Sequence, residues 1–290
     1  MRIWITGASG MLAQDFIPLA LQAGHVCFAT DCEVDICDPI AVRSRLDQHP
    51  VDFVLNCAAY TAVDKAESEE PKAFQVNALG PENLARETAA RNIGFLHIST
   101  DYVLNGQPPE PLNENAPLNP SSVYGRTKAQ GELRVAALNP KHWIVRTAWL
   151  YGIHGNNFVK TMLRLMAERD GLRVVNDQWG APTWTVDLCQ ALLHILASGQ
   201  HPGIYHFTDE GRITWYTFAL AIQKHAKEMG LLQRIIPVDA VSSSEYASPA
   251  SRPTWSVLDK TLIHKTFAVP VPDWEDSLQS YLRLEADARH

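Results

Sequence analysis

Nowhere in its 290 residues does the chain run through the roughly 18 consecutive uncharged apolar positions that a membrane-spanning helix needs. A helical membrane protein is therefore excluded. No run of Lys or Arg exceeds two residues, and 25 basic against 32 acidic side chains leave a net charge of −7. Binding a phosphate polymer requires clustered cations, so nucleic acid is not an expected partner. A compact anionic metabolite remains open to it, because one or two local cations and free backbone N–H groups suffice. Cysteine is scarce and unpatterned. Cys27, Cys32, Cys37, Cys57 and Cys189 are an odd number, form no Cys-x-x-Cys pair and match no zinc spacing. Most of them are expected as small buried apolar residues in a reducing compartment. Internal repeats, low-complexity tracts and long flexible linkers are absent as well. Met1–Gly7 enters a strand-like segment without a charged-then-apolar leader, which points to a cytoplasmic location.

What is present is an ordinary globular composition, 46% apolar and 20% charged, on a chain long enough for one or two domains. Short β-branched or apolar runs recur at Ile3–Thr6, Val26–Thr30, Phe53–Asn56, Gly94–Ser99 and Trp143–Thr147. Stretches of helical spacing separate them at Met11–Gln22, Pro39–His49, Pro71–Asn92 and Ser121–Leu138. Parallel strands need such crossovers, so the alternation predicts an α/β fold built on a doubly wound parallel sheet of Rossmann type. Beyond residue 150 the rhythm weakens. Helical segments at Phe158–Arg169, Thr185–Ala197, Trp215–Glu228 and Trp274–Glu285 alternate with short strands near Arg173–Val175 and Gly203–Phe207. The expected division is a nucleotide-binding lobe over 1–150 and a smaller α/β substrate lobe over 151–290, with the chain crossing back between them.

The first strand runs into Gly7-Ala8-Ser9-Gly10-Met11-Leu12-Ala13. Gly7 suits the positive φ of a tight strand-to-helix turn, and Gly10 admits a diphosphate close to the backbone. The helix that follows offers unpaired N–H groups and the positive end of its dipole. The spacing is Gly-x-x-Gly-x-x-Ala, with Ala13 small enough for close helix–strand packing. In this context it predicts a dinucleotide site. At the end of the second strand Asp31 can accept hydrogen bonds from an adenosine ribose. No Arg or Lys occurs between residues 3 and 42, which favours NADH over NADPH; a solvated carboxylate at a strand end is the plainer alternative.

Tyr124 and Lys128 stand four residues apart in a predicted helix, on one face of it. A phenol beside an ammonium suits proton transfer to a carbonyl oxygen that is gaining hydride, and the ammonium should draw the phenol down from its usual pKa near 10. The lysine can also hold a nicotinamide ribose. The fourth strand ends at Ser99-Thr100-Asp101-Tyr102, where a Thr100 hydroxyl can steady the same oxygen and Asp101 can bind substrate hydroxyls.

These residues resemble the extended short-chain dehydrogenase/reductase family, and the similarity runs along nearly the whole chain. The glycine turn and Tyr-x-x-x-Lys are shared by the whole superfamily. Val63-Asp64-Lys65-Ala66-Glu67, Ser99-Thr100-Asp101-Tyr102-Val103 and Asp177-Gln178-Trp179-Gly180-Ala181-Pro182-Thr183 belong to a subgroup that reduces sugar nucleotides. The resemblance implies hydride transfer from NADPH or NADH to the C4 ketone of a dTDP-sugar, dTDP-4-dehydro-L-rhamnose. It makes Tyr124 the proton donor, Lys128 its activator and ribose ligand, and Thr100 the carbonyl's partner. Gly7, Gly10, Met11, Leu12, Asp31, Asp35, Ile36, Ala58, Ala59, Tyr60 and Ser99 would line the cofactor. Asp101, Trp149 and Arg252 would meet the sugar nucleotide, Arg252 at its diphosphate. Some relatives are dimers bridged by Mg²⁺ through glutamates, but the first-helix position here is Asp15, so no metal is expected and the chain is a monomer or homodimer. An epimerase or dehydratase on the same scaffold is one rival; Tyr102 follows Asp101 where a dehydratase needs a second carboxylate. A non-catalytic regulatory subunit is the other.

Overall fold

Ile3, Trp4 and Ile5 are all fully buried, the two isoleucines on one face of a strand and the indole on the other. A strand covered on both faces belongs inside a sheet. The computed structural model, which describes residues 1–246 and 248–288, places it there. Six parallel strands form the sheet: β1 (Arg2–Thr6), β2 (Val26–Thr30), β3 (Phe53–Asn56), β4 (Gly94–Thr100), β5 (His142–Thr147) and β6 (Gly203–His206). Their order is β6-β5-β4-β3-β1-β2. The crossovers carry α1 (Met11–Gln22), α2 (Pro39–Gln48), α3 (Gly80–Ala90) and α4 (Val123–Leu138). The fold is the expected doubly wound, Rossmann-type α/β sheet. Strand order reverses at β1, with β2 on one side and β3 to β6 on the other, and that reversal opens a crevice at the carboxyl edge. Register brings Thr6 beside Thr30 and Asn56, and Thr100 beside Thr147, so those strands end level with one another.

Each face of the sheet has its own core. On one, Ile3, Ile5, Leu55 and Val145 pack with Phe16 of α1 and with Leu188 and Leu192 of a helix from the second half. On the other, Trp4, Val54, Phe95 and Ile144 meet Val42 of α2, Leu84 of α3 and Val135 of α4. Counting α5 (Phe158–Glu168), the returning helix is α6 (Thr185–Ser198), and it leads into β6 at the sheet's edge. A third core gathers α5, α7 (Trp215–Glu228) and α8 (Trp274–Asp287) around Tyr151, Met166, Phe218, Leu278 and Tyr281. A parallel pair, Leu172–Val175 with Val238–Val241, borders that lobe. Among the described residues no helix is long and apolar enough to cross a membrane.

One expected helix is not continuous. The stretch from Pro71 to Asn92 runs as a short helix (Glu70–Phe74), a π-turn (Gln75–Leu79) and then α3. Pro81 has no N–H to give the Asn77 carbonyl four residues before it, and the widened turn absorbs the loss. That carbonyl is instead pressed against Gly131 of α4, where a Cβ would come within 2.2 Å of it.

Candidate active site

At Gly7 the backbone φ is +67°, and a Cβ there would lie 2.7 Å from the amide nitrogen of Ala58. Only glycine lets the loop after β1 pass so close to the loop after β3. The Gly10 amide donates to the Gly7 carbonyl at 2.9 Å, and Gly10 caps α1 without any side chain. The first N–H groups of α1 are thus left for a ligand. Gly7, Gly10, Met11 and Leu12 line one end of a cavity of about 1030 Å³. Asp31, Asp35, Ile36, Ala58 and Ala59 continue its wall, and Lys128 and Arg252 are the cations in its lining. Tyr60 does not line it. Its hydroxyl donates to Glu69 at 2.9 Å and its amide to Asn77 at 2.8 Å.

The expectation of buried cysteines holds for Cys189 alone; Cys32 is exposed and the other three are half-buried. Cys32, Cys37 and Cys57 line the cavity, because they sit in the loops just beyond β2 and β3. Burial pushes the Cys37 and Cys57 thiols up to about 12, so both stay protonated and inert.

At the opposite end, His97 and Ser99 are two apart on β4 and share a face; Lys128 and Glu132 are four apart on α4 and meet them. Lys128 is 2% exposed and donates from Nζ to the Ile98 carbonyl at 2.7 Å, with His97 Nε2 at 3.5 Å. Burial lowers its pKa to about 8, with Glu132 opposing the shift. His97 is neutral, through burial and the nearby ammonium, and is tied through Asn56 to Thr6. Ser99 donates to Glu132, which grips Arg146 of β5 through both carboxylate oxygens.

Ser122 caps α4 by accepting from the Gly125 amide at 3.1 Å. A Cβ on Gly125 would come within 2.3 Å of the Tyr102 carbonyl, so glycine lets the first turn of α4 press against the end of β4. That contact brings the Tyr124 ring edge-on to Tyr102, with centroids 5.5 Å apart, and sets its phenol near the Thr100 hydroxyl. The expected lowering of the phenol pKa is corrected here. Burial moves it upward, and Lys128, turned to the Ile98 carbonyl, does not offset the shift. Tyr124 is therefore held as a neutral phenol, the form from which a proton can be given. Thr100 also donates to Asp101 Oδ1 at 3.0 Å. Asp101 is 2% exposed, and burial raises its pKa to about 6 against hydrogen bonds that favour the carboxylate.

Ser99, Thr100, Asp101, Tyr124, Lys128, Trp149 and Arg252 all line the same cavity. Trp149 sits at φ +48°, unusual for a bulky residue, and stacks on Trp215 at 3.7 Å. Such a conformation persists where its surroundings enforce it, as they do at functional sites. Arg252 donates to Tyr102 Oη at 2.9 Å and to both oxygens of Asp64 at 3.0 Å. A second cavity of about 750 Å³ shares Phe158, Trp215 and Arg252 with the first. Asp15 accepts from the Thr185 hydroxyl and lies 3.5 Å from His154 Nε2, and among the described residues no cluster of three or more His, Cys, Asp or Glu is gathered for a metal.

Asn56, His97, Glu132 and Arg146 were not expected in the site. All four left a signal: three are polar or charged residues inside strand runs, and Glu132 extends the Tyr124–Lys128 stripe by one more turn.

Comparison with known proteins agrees with this geometry. The family model described as RmlD substrate binding domain matches residues 1–286. The dTDP-4-dehydrorhamnose reductase of Aggregatibacter actinomycetemcomitans is 40% identical over 286 residues, covering 96% of this chain and 97% of that protein. Among solved structures, a dTDP-4-dehydrorhamnose reductase from Clostridium acetobutylicum superposes with a TM-score of 0.93 at 40% identity, covering 98% of this chain and 99% of that one. One from Bacillus anthracis, in complex with NADP, superposes at 0.92 and 34% identity, covering 98% and 99%. The chain belongs to the RmlD substrate binding domain family.

Proposed function

We propose that the chain reduces the C4 ketone of dTDP-4-dehydro-L-rhamnose with hydride from NADPH or NADH, giving dTDP-L-rhamnose. The observation that carries this reading is that Tyr124, Thr100 and Lys128 line the same cavity as the Gly7–Leu12 turn. The residues fit a dinucleotide, since no side chain caps the α1 N-terminus and the Gly7–Leu12 turn that leads into it lines the cavity. Gly7, Gly10, Met11 and Leu12 would hold the diphosphate, Asp31 the adenosine ribose, and Ser99 and Lys128 the nicotinamide ribose. When bound, the reduced dinucleotide supplies the hydride. The ketone oxygen accepts hydrogen bonds from the Tyr124 phenol and the Thr100 hydroxyl; as C4 becomes tetrahedral, Tyr124 transfers its proton to that oxygen. Asp101 accepts from sugar hydroxyls, and Trp149 and Trp215 wall the sugar. Arg252, shared by both cavities, meets the diphosphate, and the second cavity takes the nucleoside. Residues 1–150 with the returning α6 and β6 carry the cofactor, and most of 151–290 carries the substrate; the compartment is the cytoplasm. An NAD(P)H-oxidation assay with the 4-dehydro sugar nucleotide tests the reading.

Two expected results follow from the titrating groups. Asp101, at about 6, must ionise to accept hydrogen bonds, so kcat/KM for the sugar nucleotide rises as pH increases through about 6. Lys128, lowered to about 8, is charged below that pH and neutral above it, so kcat/KM falls as pH increases through about 8. The profile is bell-shaped, and Asp101→Asn removes its acid limb; a flat acid limb in the wild type contradicts the role of Asp101. At the adenosine end, a carboxylate that accepts ribose hydroxyls favours NADH and repels a 2′-phosphate. Asp31→Ala is expected to shift the ratio of NADH to NADPH affinity about tenfold towards NADPH, the worth of a charged hydrogen bond. Cofactor-fluorescence titrations read that ratio directly, and an unchanged value contradicts the contact.

A further inference from the structure

Arg252 belongs to the second lobe by sequence, yet its guanidinium is fastened to the first. Nη2 donates to both oxygens of Asp64, and Nη1 donates to Tyr102 Oη. Those bonds leave Nε and one Nη1 hydrogen without a partner among the described residues, at the junction of the two cavities. Asp64 stands in a single helical turn (Val63–Ala66) after β3. Besides Arg252 it accepts from the Ser248 hydroxyl at 2.9 Å and from the Ala250 amide at 3.3 Å. One carboxylate thus collects three donors from residues 248–252, which lie more than 180 positions away in sequence. The Ser121 hydroxyl adds a bond to the Ser251 carbonyl at 3.3 Å.

A guanidinium on a long stem has rotamer entropy to lose when it grips an anion. A carboxylate that already fixes the fork removes much of that loss, provided it leaves N–H groups free. Asp64 meets both conditions, and at 46% side-chain exposure it bears no core packing. Tyr102 carries the arrangement inward, since its ring takes the guanidinium at the hydroxyl and the Tyr124 ring at its side.

We propose that Asp64 is a positioning residue for the substrate diphosphate: it binds residues 248–252 to the first lobe and holds Arg252 at the mouth between the cavities with part of its fork free. The proposal rests on the sugar-nucleotide reading. Asp64 lines neither cavity; it acts through Arg252.

Calorimetric titration of the full chain with dTDP, which carries the nucleoside and diphosphate without the sugar, tests it in four forms: wild type, Asp64→Asn, Arg252→Gln and the double variant. Asp64→Asn is expected to weaken dTDP binding about tenfold, and Arg252→Gln by at least as much, as charge-assisted contacts do. The double variant should bind no more weakly than Arg252→Gln alone, because the two act as one unit. In turnover, Asp64→Asn raises KM for the sugar nucleotide by a similar factor with a much smaller change in kcat, and Asp64→Glu recovers part of the loss. Additive losses in the double variant overturn the proposal. So does tighter dTDP binding by Asp64→Asn, which would make the carboxylate a competitor for the anion. A wild type that fails to bind dTDP overturns it together with the substrate reading; a wild type that binds, with additive variants, overturns the role of Asp64 alone.

Discussion

Replacing Tyr124 with phenylalanine is expected to lower turnover by about a hundredfold or more while leaving cofactor affinity unchanged, the signature of a lost general acid. The substitution keeps the ring, so the edge-on contact with Tyr102 and the capped first turn of α4 survive. What disappears is one phenol, held protonated by burial beside the Thr100 hydroxyl. Thr100 would still donate to the ketone oxygen and leave a residual rate. Single-turnover kinetics with bound reduced cofactor measure the step directly. Turnover within about threefold of wild type would mean that another group gives the proton.

The second large effect is on stability. Glu132→Gln is expected to cost about 3–5 kcal/mol, because it leaves a buried guanidinium without its counter-charge. Both side chains of the Glu132–Arg146 pair are 2% exposed. Arg146 otherwise finds the Glu114 carbonyl at 3.4 Å and the His206 imidazole at 3.2 Å, and neither balances its charge: burial and Arg146 itself lower the His206 pKa to about 3, so the ring is neutral. Glu132 also receives the Ser99 hydroxyl, and Ser99 lines the larger cavity, so the loss reaches the site. Replacing both charges, as Glu132→Gln with Arg146→Met, should recover much of the stability, since neutral pairs of similar volume escape the desolvation penalty. Denaturant unfolding measures both variants. A loss below about 1 kcal/mol for Glu132→Gln would show that the pair is not a paired buried charge in solution.

Local periodicity made part of this molecule legible in the sequence. Parallel strands buried on both faces read as apolar runs, and β1, β3 and β4 lie where those runs are. The Tyr124–Lys128 spacing is likewise local, because four residues on a helix meet whatever the rest of the chain does. Side-chain direction was not legible: Nζ of Lys128 turns to the Ile98 carbonyl, and the phenol rises where proximity alone would lower it. Long-range pairings were hidden too. Nothing near Gly203 announces that β6 joins β5, and nothing near Arg252 announces Asp64. The break after Phe74 was visible only as Pro81, since apolar spacing continues across it. Tyr60 resembled a cavity residue by its place in a family string, yet Glu69 and Asn77 hold it elsewhere.

The most direct measurement is the stoichiometry of cofactor oxidation with enzymatically prepared dTDP-4-dehydro-L-rhamnose. A proton-donating phenol beside a bound ketone predicts one reduced nicotinamide consumed for each ketone lost, with dTDP-L-rhamnose as the product. Conversion of the sugar with no net loss of reduced cofactor, or no conversion by the isolated chain, would contradict it.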